Sequence, residues 1–277
     1  MVGQVGSNDT KFMFWNICNQ SIGQLVGAAS KQYNLDLILL AECEDSESIR
    51  LELNQSTERP FIHRREAAGR VDVFSRFPLG SIAILGDYGR TSFFHLQHPI
   101  GKDVLIAAVH LPSKLHMQDQ DQTLNCTRLI ERVNHFEARL GHKRTIVVGD
   151  FNINPFEHGL IAAECFHASL SRRVAQRGTR VVQGNEYTFF YNPMWAHFGD
   201  RGTGPPGTYF HSASSSTNIY WNMFDQVLIR PDLLDQFEDQ SVQIITKIDG
   251  TDLANQEGRP VISDHFPIVF ALNLMEG

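Results

Sequence analysis

The stretch Thr145-Ile146-Val147-Val148-Gly149-Asp150-Phe151-Asn152 places a carboxylate and a carboxamide two residues apart, just beyond a β-branched run. Ile146 to Val148 read as a buried strand. In extended chain, residues i and i+2 point to the same side, so Asp150 and Asn152 can share one cleft at a sheet end. An acid and an amide held together on a rigid strand suit metal or phosphate chemistry. The alternative is an ordinary polar turn, since Gly, Asp and Asn are common turn residues.

The same arrangement recurs along the chain. Asn16 lies near the end of Lys11 to Ile17, an aromatic and apolar strand, and Glu42 directly follows the buried run Asp36 to Ala41. His110 terminates the apolar run Lys102 to Val109, and Asp264-His265 immediately precedes a last strand, Pro267 to Leu272. Asp225 lies inside the strand Met223 to Ile229, where a lone buried carboxylate is costly and needs a partner. Taken singly, each has a structural reading: a strand-end amide, a helix-start acid, a hydrogen-bonding histidine. Together they point to one pocket fed by several strand ends.

The positioning elements alternate in type. Ser21 is placed to cap a helix carrying Ile22, Leu25, Val26 and Ala29 on one face. Val71 to Phe74 is a short strand. Ser81 to Leu85 and Thr91 to Gln97 read as a hairpin joined by Gly86-Asp87-Tyr88-Gly89. Gln122 to Leu140 is the strongest helix, stopped by Gly141. A further helix is expected from Pro155 to about Ala168. Residues 171 to 185 form a basic cluster, and Gly199 to Asn218 is too rich in Gly, Pro and Ser to supply a core, so a long mobile loop beside the cleft is expected there.

Composition narrows the function classes. The chain has 277 residues, 42% of them hydrophobic, and a formal charge of −7, which argues against coating nucleic acid through a broad basic face. An acidic cleft would attract a divalent cation. Cysteines 18, 43, 126 and 165 lack metal-ligand spacing and lie in or beside apolar runs, so free thiols in a reducing compartment, the cytoplasm, are expected. No secretion signal and no membrane span are visible.

The set resembles the endonuclease/exonuclease/phosphatase superfamily, the DNase I-like fold. The matching residues are Trp15-Asn16, Leu40-Ala41-Glu42, Ser75-Arg76-Phe77-Pro78, Val109-His110-Leu111, Val148-Gly149-Asp150-Phe151-Asn152, Phe224-Asp225-Gln226-Val227-Leu228 and Ser263-Asp264-His265, in the family's order over about residues 11 to 272. The resemblance implies an α+β fold, a four-layer α/β/β/α sandwich of two face-to-face mixed sheets with outer helices. It implies a flexible N-terminus over residues 1–10 and one catalytic domain over 11–277.

It also implies cleavage of a phosphate ester that depends on Mg²⁺ or Mn²⁺. On that reading Glu42 is the principal metal ligand, with Asn16 and Asp264 completing or supporting it. Asp150 orients or deprotonates the attacking water, and Asn152 holds that water or a phosphate oxygen. His265 donates to the phosphate with its tautomer fixed by Asp225, and His110 approaches from the other side. Arg76, Arg172, Arg173 and Arg177 are the expected backbone-phosphate contacts. Cys18 stands where the abasic-site endonuclease and tyrosyl-DNA phosphodiesterase branches usually carry Asp. The expected substrate is DNA or RNA. The alternatives are a lipid or inositol-type phosphoester and an inactive binding module on the same fold.

Overall fold

A computed structural model describes residues 9–55, 57, 59–65, 69–113, 119–202, 204–214 and 218–275. The expected N-terminal segment falls largely outside these residues, as do positions 203 and 215–217 of the expected loop.

Thirteen strands form two large sheets. They are β1 (Thr10–Asn16), β2 (Leu37–Ala41), β3 (Ile62–Arg64), β4 (Val71–Ser75), β5 (Ile82–Tyr88), β6 (Thr91–Leu96), β7 (Val104–His110), β8 (Thr145–Asp150), β9 (Ala168–Ser169), β10 (Phe190–Tyr191), β11 (Asp225–Ile229), β12 (Gln243–Ile244) and β13 (Ile268–Leu272). One sheet runs β12-β13-β1-β2-β4-β3 and the other β5-β6-β7-β8-β11-β10-β9. Both are mixed, because β1–β2 and β7–β8 are parallel pairs among mainly antiparallel neighbours.

Strand alternation builds three apolar layers. Phe12, Phe14, Leu37 and Leu39 meet Ile106, Ala108, Ile146 and Val148 between the sheets. The intervening residues Met13, Trp15, Ile38 and Leu40 face outward with Val26, Ala29 and Ile49 of α1 (Gly23–Gln32) and α2 (Ser46–Leu53). Leu105, Ala107 and Val147 face Leu129, Val133 and Phe136 of α3 (Asp119–Leu140). Apolar residues on both faces explain why these strands read as unbroken hydrophobic runs. The result is the four-layer α/β/β/α sandwich. No helix among the described residues is long and apolar enough to cross a membrane.

Local details depart from the sequence reading. The helix at Gly23 has Ile22 as its cap residue and no side-chain cap, so Ser21 does not serve. The helix expected over 155 to 168 is a single turn, α4 (His158–Ile161). It ends at Ala162, which is already extended at φ −65° and ψ 144°, and the chain turns again at His167 with φ 49°. The hairpin turn is also tighter than expected. β5 continues through a bulge near Gly86 to Tyr88, which leaves only Gly89 and Arg90 between the strands.

The Gly/Ser-rich segment is not coreless. Thr208 is fully buried, and Tyr209–Phe210 pairs with Trp221–Asn222 and bridges to His265. The basic stretch folds into α5 (Arg172–Ala175) and a small hairpin, Thr179–Val182 with Asn185–Thr188.

Candidate active site

Strand direction assembles the site. Parallel β1 and β2 end side by side, with Asn16 opposite Ala41 and Glu42 one step beyond. Parallel β7 and β8 end with His110 opposite Asp150. Antiparallel β11 starts at that same edge, with Asp225 opposite Asp150, and Asp264-His265 enter the edge just before β13. Asn16, Glu42, His110, Asp150, Asn152, Asp264 and His265 line one cleft of about 440 Å³. Larger hollows lie elsewhere, including one of about 660 Å³ beside α3, which does not gather such a set.

The backbone at this edge is specialised. Gly149 has φ 148°, and a Cβ there would lie 1.9 Å from Val109 O, so only glycine lets β7 and β8 approach this closely beside Asp150. Glu42 and Asn152 both take positive φ, 49° and 52°, which costs strain that persists where the surroundings impose it.

Asp150 is the hub and is almost wholly buried. Its Oδ1 accepts from Asn152 N at 2.9 Å, and its Oδ2 accepts from Asn16 Nδ2 at 3.1 Å and Asn152 Nδ2 at 3.0 Å. Burial raises its pKa against the pull of His265 and His110, and Asp225 adds to the rise. The Asn152 amide also donates to Leu111 O at 2.9 Å. Asn152 therefore orients Asp150, with its amide hydrogens engaged away from any incoming oxygen.

His265 is held from several sides. Its Nδ1 lies 2.8 Å from Asp225 Oδ2, its N–H donates to Ser263 Oγ, its carbonyl accepts from Trp15 Nε1, and Tyr209 packs over its ring at 4.6 Å. Burial alone would lower its pKa. Asp225, Asp150, the Asp225 hydrogen bond and Asp264 outweigh that and raise it to about 10. The ring is thus a buried cation at neutral pH, with Nε2 3.9 Å from Asp150 Oδ2 and 4.0 Å from Asp264 Oδ1.

On the other side, Glu42 Oε1 accepts from Asn16 Nδ2 at 3.2 Å and lies 3.3 Å from His110 Nε2. The His110 contact is the largest influence that holds the Glu42 pKa at about 2, against desolvation. Asp264 stays half exposed at the cleft mouth. Burial first, then Asp264 and Glu42, push the Cys18 thiol up to about 11, so this side chain is neutral beside the acids.

A divalent cation fits this oxygen-rich edge. Glu42, Asp264 and Asp150 present carboxylates to one cleft, a hard donor set suited to Mg²⁺ or Mn²⁺. Asp150, Asp225 and His265 also offer donors within 4.8 Å of one another, but Asp225 Oδ2 and His265 Nδ1 are bonded to each other. Asn16 Oδ1 accepts from Cys18 N at 3.1 Å, and its amide nitrogen faces the acids. In this orientation the Asn16 amide nitrogen links Glu42 to Asp150, and its oxygen keeps one lone pair beyond the Cys18 bond.

The four arginines lie outside the cleft lining. β4 runs antiparallel to β2, so Arg76 emerges at the edge opposite Glu42, over the Phe61 ring. Arg172 caps the carbonyls of Leu234 and Phe237 beyond the far end of β11. Arg173 is exposed on α5, and Arg177 lines a separate hollow with His167 and Trp195. The sequence reading missed Arg90 and Tyr209. Arg90 lines the cleft from the tip of the β5–β6 hairpin, where its carbonyl accepts from His110 N. Its only signal was the preceding Gly89.

No family model matches the sequence, and no curated protein does. Solved structures do match. ANGEL2, a 2′,3′-cyclic phosphatase, aligns at TM-score 0.58 and 14% identity, over 96% of this chain and 96% of that one. D. rerio TDP2 complexed with a single-strand DNA product gives 0.56 and 15%, over 96% and 100%. An endonuclease/exonuclease/phosphatase family protein from Leptotrichia buccalis C-1013-b gives 0.55 and 13%, over 95% and 99%. The chain has the endonuclease/exonuclease/phosphatase fold. The sandwich and strand-end cleft derived above are the features on which that fold is built here, and at these identities the likeness speaks for the fold alone.

Proposed function

We propose that this protein is a divalent-metal-dependent phosphodiesterase that hydrolyses a polynucleotide. One observation carries the reading. A buried cationic histidine, a buried carboxylate of raised pKa and two cleft-facing acids converge within a few ångströms at the mouth of a single cleft. Strongly opposed protonation of neighbouring groups is the pattern expected of acid–base and phosphate chemistry.

Each residue has a task in that reading. Asp150, fixed by three donors, takes the proton of the attacking water; its raised pKa suits a base. His265 donates from Nε2 to a nonbridging phosphate oxygen, while Asp225 keeps Nδ1 protonated and the ring charged. His110 faces the same space from the Glu42 side. Fixed donors aimed at developing charge need no reorganisation during reaction. Glu42 and Asp264 would hold Mg²⁺ or Mn²⁺, which would supply positive charge to the phosphate oxygens.

The polynucleotide assignment rests on the cleft walls. Arg90 lines the cleft from the hairpin tip and offers a phosphate contact there. The DNA-bound and cyclic-phosphatase relatives of the fold support a phosphoester substrate. All four cysteines are free, which fits the reducing cytoplasm. The test is incubation with labelled single- and double-stranded DNA and RNA in Mg²⁺ or Mn²⁺, with EDTA and Asp150→Asn as controls. Metal-dependent cleavage lost in Asp150→Asn is the expected result. Metal-induced stabilisation without cleavage of any polymer would move the assignment to a lipid or small-molecule phosphoester. Neither effect would leave a binding module.

A further inference from the structure

The second grouping of metal-ligating side chains lies at the opposite end of the same sheet. His95 on β6, Asp103 just before β7 and His142 between α3 and β8 offer one donor atom each, all within 4.8 Å of one another. His95 is opposite Leu105, at the end of β7 far from His110, and shares the α3-facing side of β6 with Phe93. The group therefore has no part in the cleft.

Ordinary polar contacts do not account for it. His95 Nε2 and His142 Nε2 are both buried and have no hydrogen-bond partner among the described residues. His95 Nε2 lies 3.3 Å from Asp103 Oδ2, too poorly aligned to count as a hydrogen bond. Buried ring nitrogens without partners are costly. Zinc bonds of about 2.0–2.2 Å at tetrahedral angles put neighbouring donors roughly 3.3 Å apart, which is the His95–Asp103 spacing. We propose that His95, Asp103 and His142 form a second metal site, selective for Zn²⁺, that pins the β6 end, the β6–β7 connection and the α3–β8 connection together.

Two imidazoles and one carboxylate are a borderline donor set that favours zinc over magnesium, whereas the cleft presents hard oxygens. Asp103 is 39% exposed, which leaves a route for the ion and a fourth position for water. Occupancy has a local signature. Arg144 N–H now donates to His142 Nδ1 at 3.2 Å. Coordination through Nε2 places the ring proton on Nδ1, so that bond must open.

The experiment titrates the chelator-stripped full-length protein with Zn²⁺, and with Co²⁺ as a coloured substitute, in millimolar Mg²⁺ to occupy the cleft. Wild type and Glu42→Gln should each bind one equivalent of zinc, with a melting temperature that climbs with zinc concentration and a displaced Arg144 amide resonance. His142→Ala and Asp103→Asn should weaken binding by more than the roughly 10–100-fold that loss of an outer partner costs. Asp103→Asn, at an accessible position, keeps the test decisive should His142→Ala fail to fold. Equal zinc binding in wild type and Asp103→Asn, loss of zinc binding in Glu42→Gln, or no zinc binding at all would overturn the proposal.

Discussion

His265 and Asp225 are 40 positions apart in the chain and 2.8 Å apart in space, Nδ1 to Oδ2, both out of solvent. The pairing explains an acid inside an otherwise apolar strand. Asp225 Oδ1 has no hydrogen-bond partner among the described residues, so the carboxylate bonds chiefly to this ring. That carboxylate thereby fixes the tautomer of the histidine that faces the cleft and is the strongest influence keeping it charged, with Asp150 and Asp264 adding to it.

Asp225→Asn keeps the shape and removes the charge. The His265 pKa, raised from 6.5 to about 10, should fall, and the alkaline limb of kcat/KM should move to lower pH. Activity at neutral pH should drop roughly 10²–10³-fold, as for loss of a preorganised electrostatic contact. Because the folded pKa is raised, the pair stabilises the fold fully below about pH 6.5 and ceases to as pH passes about 10. Melting temperatures of wild type and variant should therefore differ at neutral pH and converge above 10. Unchanged pH profiles would refute the coupling.

Asp150→Asn should abolish the base. A loss of roughly 10²–10⁴-fold in kcat with little change in KM is expected in single-turnover assays. Retention of activity would transfer the base to another group.

Glu42→Gln should raise the Mg²⁺ concentration needed for half-maximal activity and remove most metal-induced stabilisation, which is about 2.7 kcal/mol at 100 times Kd for an intact site. With its pKa at about 2, Glu42 stays ionised through mildly acid pH, so wild-type Mg²⁺ affinity should be insensitive to its titration near neutrality. Calorimetry with and without Mg²⁺ tests this.

Gly149→Ala should cost roughly 2–5 kcal/mol in urea denaturation, because the added Cβ meets the Val109 carbonyl at a φ that disfavours any side chain. A neutral result would mean that β7 and β8 can separate at Asp150 without loss.

Arg90→Ala should raise KM for a polynucleotide and reduce the salt dependence by about one unit of slope. Arg172→Ala should instead lower stability and leave the kinetics alone, since its guanidinium caps two carbonyls away from the cleft. The opposite pattern would return the basic stretch to the substrate path.

The chain order of apolar runs and the polar residue closing each run were legible in the sequence. A buried strand must be apolar along its length, so a polar residue at its end stands out and marks a sheet edge. Asn16, Glu42, His110, Asp150 and His265 are visible for that reason, and their convergence needs only that the parallel pairs end together. The arginines carry no such mark. Whether Arg76 or Arg90 reaches the cleft depends on which way β4 runs and on how tightly β5 turns into β6, and both are settled by pairing with distant strands. Likewise, a composition suited to a loose loop conceals Thr208 and Tyr209, which are ordered by contacts to β11 and His265. The apolar strands and the inventory of chemical groups at their ends were readable from local burial and strand period, whereas the four-layer sandwich was implied by the family resemblance. Which atoms of those groups meet, including the turn of the Asn16 amide and the grouping of His95, Asp103 and His142, was set in the folded sheets, because register and strand direction are properties of the whole sheet.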